Sequence, residues 1–211
     1  MTYFKNKSVW SDFFFGNPTH EHKGSLSRIS LSSGGSYVHN ALFQNLGGSS
    51  SGGAIYCNSV TVNVLIEETS FIYCTTASGS GGALFLSITG ECIITKVCGS
   101  RCRAVSNHIM FSYVSVTNSF DKRNSFLHSS VCNTVENTYS HITRHHYGKV
   151  LFEFSNISNN QCASQTGICC ERQSAANSNE IGFSLRFTIC DTFFFILKNV
   201  MEHLSKRTLL K

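Results

Sequence analysis

Three histidines crowd the segment His141-Ile142-Thr143-Arg144-His145-His146-Tyr147-Gly148. On a helix, His141 and His145 would share a face and could hold zinc through their imidazole nitrogens. No helix signal surrounds them, and no carboxylate or thiol nearby completes a ligand set. A polar surface loop is the expected setting, and His20-Glu21-His22 reads the same way. Acid–base chemistry on a polysaccharide needs carboxylates that work as a pair. Asp12, Asp121 and Asp191 each stand alone, and Glu67-Glu68 is the one adjacent acidic pair. Its neighbours Ile66 and Thr69 place it on the outward edge of a structural unit. No Ser-His-Asp or Cys-His nucleophile set can be assembled. No catalytic, metal-binding or cofactor-binding residue is therefore assigned, and no cofactor is expected.

The ten cysteines admit three chemistries. Cys98-x3-Cys102 and Cys169-Cys170 hint at zinc, but a tetrahedral site wants two close pairs at workable spacing. The even count would suit a disulfide framework in an extracellular chain. The spacing suggests a third reading. Cys74, Cys102, Cys132, Cys162 and Cys190 are separated by 28, 30, 30 and 28 residues. If they occupy one inward position on successive units, their Cβ vectors run parallel, which favours buried thiols over bridges. Cys57, Cys92, Cys98, Cys169 and Cys170 lie off this file and are freer to pair.

The elements that would carry such a file follow from a second repeat. Gly52-Gly53-Ala54-Ile55-Tyr56 returns 29 residues later as Gly81-Gly82-Ala83-Leu84-Phe85, each copy behind a Ser/Gly loop. Gly-Gly fits a tight corner where φ is positive and a Cβ is not tolerated. Val60–Ile66, Cys92–Val97 and Lys149–Phe154 alternate with period two, as strands do. Charged residues are only 14%, and no helical periodicity recurs. Short strands at a period near 29 mean a β-solenoid, since ankyrin or tetratricopeptide units would need helix pairs. The expected fold is all-β, a right-handed parallel β-helix (pectin-lyase-like solenoid) of about six coils over residues 25–192. Open ends of such a stack need caps. Residues 1–24, with Trp10 and Phe13-Phe14-Phe15, form a candidate N-terminal cap over the first coil. Residues 193–211 form a basic tail or an amphipathic capping helix.

The repeat also carries a resemblance. Gly-Gly-Ala-Ile at 52–55, Gly-Gly-Ala-Leu at 81–84 and Phe71-Ile72-Tyr73-Cys74 resemble the polymorphic outer membrane protein repeats of chlamydiae. They are similar also to the Cys- and Asn-rich right-handed β-helix surface proteins of trichomonad parasites. The strict motif spans about residues 41–86. The resemblance implies surface exposure and adhesion, with no catalytic residues to transfer. The chain departs from both groups by showing neither a signal peptide nor a membrane anchor, so membrane contact by this chain is not expected. A cell-surface or extracellular setting rests on the resemblance alone. The net charge of +5 is scattered rather than gathered into a basic stripe, which argues against nucleic acid. The expected role is a non-enzymatic surface, adhesion or protein-interaction module with a protein or glycan partner. The rival is a carbohydrate-active lyase or hydrolase of the same fold. The residues expected to shape the fold are Gly52, Gly53, Gly81, Gly82 and the five file cysteines.

Overall fold

The computed structural model describes residues 9–59, 62–105, 109–117, 119, 121–134, 141–161, 167–171 and 182–184. Strands dominate them; the one helix among the described residues is the single turn Trp10–Phe13. Every strand pairing is parallel, and each joins one coil to the next. The result is a β-solenoid of about four turns.

Three faces run along it. The first stacks the start of Gly34–Gln44 on Val62–Glu67, Cys92–Thr95, Arg123–Leu127 and Lys149–Glu153. The second stacks the end of Gly34–Gln44 on Ser70–Ile72, Cys98–Ser100, Ser130–Cys132 and Asn156–Ser158. The third stacks Ile29–Leu31, Ile55–Ser59, Leu84–Ile88, Ile109–Ser115, His141–His146 and Ile168–Glu171. A short set of two-residue rungs, Gly47–Gly48, Thr75–Thr76 and Arg103–Ala104, lies beyond the second face.

Period-two alternation decides what fills the interior. On the first face Val38, Ile66, Ile94, Phe126 and Phe152 form one inward row. On the second face Phe43 stacks on Phe71 with ring centres 5.1 Å apart. Gly99 follows in that row, and the ring of Phe111 fills the space its side chain leaves.

Two corners per coil are turned by residues in the left-handed region. Asn40, Glu68, Lys96, His128 and Phe154 turn the first to second face, and Asn45, Tyr73, Arg101, Asn133 and Asn159 turn the next. Such backbone costs a non-glycine residue on the order of 1–3 kcal/mol and persists where the surroundings over-determine it. Here the neighbouring coils do so: Tyr73 N–H donates to the Ser100 carbonyl (3.0 Å) and Lys96 N–H to that of Leu127 (3.1 Å). The residue after the corner then binds back two positions, as Thr69 Oγ1 does to the Glu67 carbonyl (2.8 Å) and Ser129 Oγ to that of Leu127 (2.7 Å).

The Gly-Gly pairs sit where the loop enters the third face. Gly52 and Gly81 have φ of 69° and 71°, and a Cβ on either would strike the carbonyl of Ile55 or Leu84. Gly53 and Gly82 are hemmed in by carbonyls of the next coil. The two copies stack, with Gly53 N–H donating to the Gly82 carbonyl (3.1 Å) and Gly82 N–H to that of Met110 (2.7 Å).

Of the five file cysteines, Cys74, Cys102 and Cys132 are among the described residues. Cys74 and Cys102 are buried on adjacent coils just after the second corner, in the place Leu46 holds on the coil before. Cys132 does not continue it. It lies opposite Ser100 and Ser158, half-buried, and the buried Thr134 takes the next place. The cause is a longer turn. Cys98 stands opposite Ser130, an offset of 32, because seven residues separate Ser115 from Arg123 where three separate Ile88 from Cys92. A 30-residue cysteine spacing falls two short of that coil. On the following coil Asn160 donates to the Val131 carbonyl (2.9 Å) beside this column. Cys162 and Cys190 lie outside the described residues, as do the expected C-terminal helix and residues 193–211.

The aromatic N-terminal segment lies along the flank of the solenoid. Trp10 and Phe14 cover the outer side of the first face over Leu65 and Ile93, with Tyr37 and Leu127 at the margins. Asp12 accepts the Val9 N–H (3.0 Å), and Arg123 donates to the Phe13 carbonyl (2.5 Å) while its guanidinium lies over Phe14. His20–Leu26, also within the expected cap, is instead a rung of the solenoid paired with Gly34–Gln44.

Candidate functional site: two outward faces

The outer side of the first face gathers the titratable groups. Tyr37 donates its hydroxyl to Glu67 Oε2 (2.9 Å), and Lys96 Nζ reaches Glu67 and Glu68 at 3.4 and 3.5 Å. Tyr37 stacks on His39 at 4.2 Å, and His39 Nε2 contacts Glu21 Oε1 at 2.7 Å. These groups come from four successive coils, so the seam ties the stack together along its axis. Burial raises the Glu67 carboxyl above its ordinary range, against the pull of Tyr37 and Lys96. Burial, and then the bond to Glu67, pushes the Tyr37 phenol up. The exposed Glu21 carboxyl is lowered, first by its bond to His39 and then by Lys23. One coil on, Arg123 closes Glu91 with contacts of 2.6 and 2.7 Å.

Glu67 thus points outward as expected of the Glu67-Glu68 pair, yet only 2% of it is exposed. A general acid must reach the proton acceptor within hydrogen-bond distance. Glu67 is enclosed by its partners, and Glu91 is held by a guanidinium. The arrangement ties coils together; it does not present a free acid and base to a substrate.

The outer side of the third face is different in kind. Tyr56, Phe85 and Tyr113 are register partners on three successive coils, with ring centres 5.5 and 5.0 Å apart and nearly parallel planes. Arg144 follows in the same row, its guanidinium 5.9 Å from the Tyr113 ring, and Arg28 lies 5.5 Å from Tyr56 at the other end. Arg28 also donates to the carbonyls of Gly52 (2.8 Å) and Ser51 (3.0 Å), fixing the Ser/Gly loop beside the row. A parallel outward row reads Asn58, Ser87, Ser115 and His146.

The histidine cluster is a strand, not a loop, and its members face opposite ways. His145 is inward and fully buried while Arg144 and His146 are half-exposed. The alternation of Thr143 and His145 inward with Arg144 and His146 outward is the available signal, masked by the polarity of the string. His145 Nδ1 meets Asn124 Oδ1 at 2.6 Å, and Asn124 Nδ2 donates to the carbonyls of His146 (3.3 Å) and Tyr147 (3.1 Å). Phe126 and Phe152 approach the imidazole edge-to-face. Burial drives its pKa down to about 3. His20-Glu21-His22 likewise lies on a strand.

The same physics favours the protonated thiol at Cys57, Cys92 and Cys102. Burial raises Cys57 to about 11 and lifts Cys92 and Cys102 further. Cys102 and Cys74 donate weakly to the carbonyls of Phe71 (3.4 Å) and Phe43 (3.5 Å) on the preceding coil. Cys57, Cys74, Cys92 and Cys102 are free thiols. Among the described residues no group of three His, Cys, Asp or Glu is placed to hold a metal ion, and no helix is long and apolar enough to cross a membrane.

The fold and these two faces place the chain in the class of parallel β-solenoids. Compared with protein-family models, curated proteins and solved structures, the chain matches none.

Proposed function

We propose that this chain is a non-enzymatic interaction module of the surface or adhesion type, wound as a right-handed pectin-lyase-like helix of about six coils. Right-handed winding is the rule for parallel strands joined in succession. The six rungs of the third face, from Ile29–Leu31 to Ile168–Glu171, support that count. The likeness to chlamydial and trichomonad repeats rests on the Gly-Gly-Ala stack and the corner cysteines.

The observation that carries the function is the pairing state of the outward carboxylates. Glu67 is buried under Tyr37 and Lys96, and Glu91 is closed by Arg123. A rigid stack that repeats its outward side chains every coil, about 4.8 Å apart, instead offers a regular surface to a partner. The rival is eliminative or hydrolytic cleavage of a polysaccharide. Incubation with polygalacturonate, followed at the ultraviolet absorbance of unsaturated product and by reducing-end release, separates the two. No product above a buffer control is expected; sustained turnover that Glu67→Gln abolishes would refute the reading.

A further inference from the structure

We infer that the first rung of the solenoid holds a zinc ion through His20 and His22, completed by the same pair from a second copy of the chain. Strand pairing places the two histidines together. His20 is the register partner of Ser36 and His22 of Val38, both fully buried on the inner side of the first face. Partners in a parallel ladder share a side, so both histidines face inward. Later coils fill the same two rows with Val64 and Ile66, then Cys92 and Ile94. Alternate residues on one side of a strand lie about 6.6 Å apart, close enough for two imidazoles to meet at one ion.

The donor set selects the ion. Glu21, the acidic residue of this rung, faces the other side, where it meets His39 and Lys23. The inward side therefore offers nitrogen without a carboxylate, which suits zinc rather than calcium or magnesium. Ser36, beside His20 in the ladder, carries a buried hydroxyl with no hydrogen-bond partner among the described residues. A ligating imidazole directs its second nitrogen to such a group, which fixes the ring.

Two nitrogens fill half of a tetrahedral set. Among the described residues no third His, Cys, Asp or Glu joins them, and no strand pairs with the outer edge of His20–Leu26. An unpaired edge is a template for another chain. In an antiparallel pairing of two copies about a two-fold axis at Glu21, His20 of each stands opposite His22 of the other. All four imidazoles then lie on one side of the joined sheet. The same register sets the two Glu21 carboxylates opposite each other, which opposes pairing in the absence of metal. The dimer is thus zinc-dependent.

The test uses the full chain, freed of metal by a chelator, then titrated with zinc chloride in a calorimeter and followed by sedimentation velocity. One zinc ion per two chains is expected, with a monomer that becomes a dimer on zinc addition and returns on chelation. Calcium should have no effect. His22→Ala should weaken zinc binding at least tenfold, equivalent to about 1.4 kcal/mol, and abolish the dimer. His20→Gln should do the same, whereas His128→Gln, at a corner four coils along the stack, should change neither. Circular dichroism of each variant checks that the fold survives. Absence of zinc binding, one zinc ion on a monomer, or undiminished binding by His22→Ala overturns the shared site.

Discussion

His145 should make the solenoid sensitive to mild acid. The imidazole is fully buried, is bonded through Nδ1 to Asn124, and has no hydrogen-bond partner at Nε2. Phe126 and Phe152 flank it, and Cys170 is its partner on the next coil. None of these neighbours supplies a negative charge, so protonation is disfavoured and the folded pKa falls to about 3 from an ordinary 6.5. The unfolded chain takes up a proton near pH 6.5 while the folded one does not. The stability associated with neutral His145 is present above pH 6.5 and is lost as pH falls toward 3. Each pH unit in that window removes up to about 1.4 kcal/mol, so two units remove about 2–3 kcal/mol. That is a large share of a typical total of roughly 5–15 kcal/mol. The raised Glu67 works in the opposite direction, gaining protons in the folded state as pH falls. It is common to the wild type and a His145 variant, and cancels in their difference. Urea unfolding followed by circular dichroism at pH 7.5, 6.5, 5.5 and 4.5 reads the effect. His145→Gln should be less stable than wild type at pH 7.5, and the gap should shrink by about 2–3 kcal/mol at pH 4.5. A gap constant across the series would refute the assignment of a neutral buried imidazole.

Gly82→Ala should lower stability by at least about 2 kcal/mol and the Tm by roughly 4 °C or more, because its Cβ meets the carbonyls of Met110 and Arg103. Gly47→Ala, where the nearest atom is 3.7 Å away, is the near-neutral control. Cys102→Thr should cost about 1 kcal/mol or less by thermal denaturation, since Thr134 fills the same place one coil on. Native alkylation with mass mapping should label half-exposed Cys132 ahead of Cys74 and Cys102; the reverse order would contradict the observed register. Trp10→Ala should cost about 3 kcal/mol by uncovering Leu65 and Ile93, and should speed proteolysis at residues 9–16.

Much of the fold was legible before any tertiary structure. The Gly-Gly-Ala repeat at offset 29 and the alternation of Val60–Ile66, Cys92–Val97 and Lys149–Phe154 pointed to stacked parallel coils. A solenoid repeats one local environment, so like residues recur at nearly constant spacing. The corners were not legible, because residues as unlike as Asn40, Glu68, Lys96, His128 and Phe154 adopt the same left-handed conformation. Hydrogen bonds to neighbouring coils impose it, and no propensity of the residue itself announces it. The register of Cys132 escaped for a related reason. Spacing along the chain counts residues in turns as well as strands, and four extra residues between Ser115 and Arg123 change the count without moving the strands.

Residue types by themselves determined that this chain builds a β-solenoid with buried thiols and glycine-lined loops. Only the packed coils decided which polar groups matter. Tyr37, His39, Glu67 and Lys96 are distant in sequence and meet because coils stack. Tyr56, Phe85, Tyr113 and Arg144 form one outward row because parallel pairing aligns them. His145 is charged or neutral according to whether a strand turns it inward, and burial is a property of the stack rather than of the histidine.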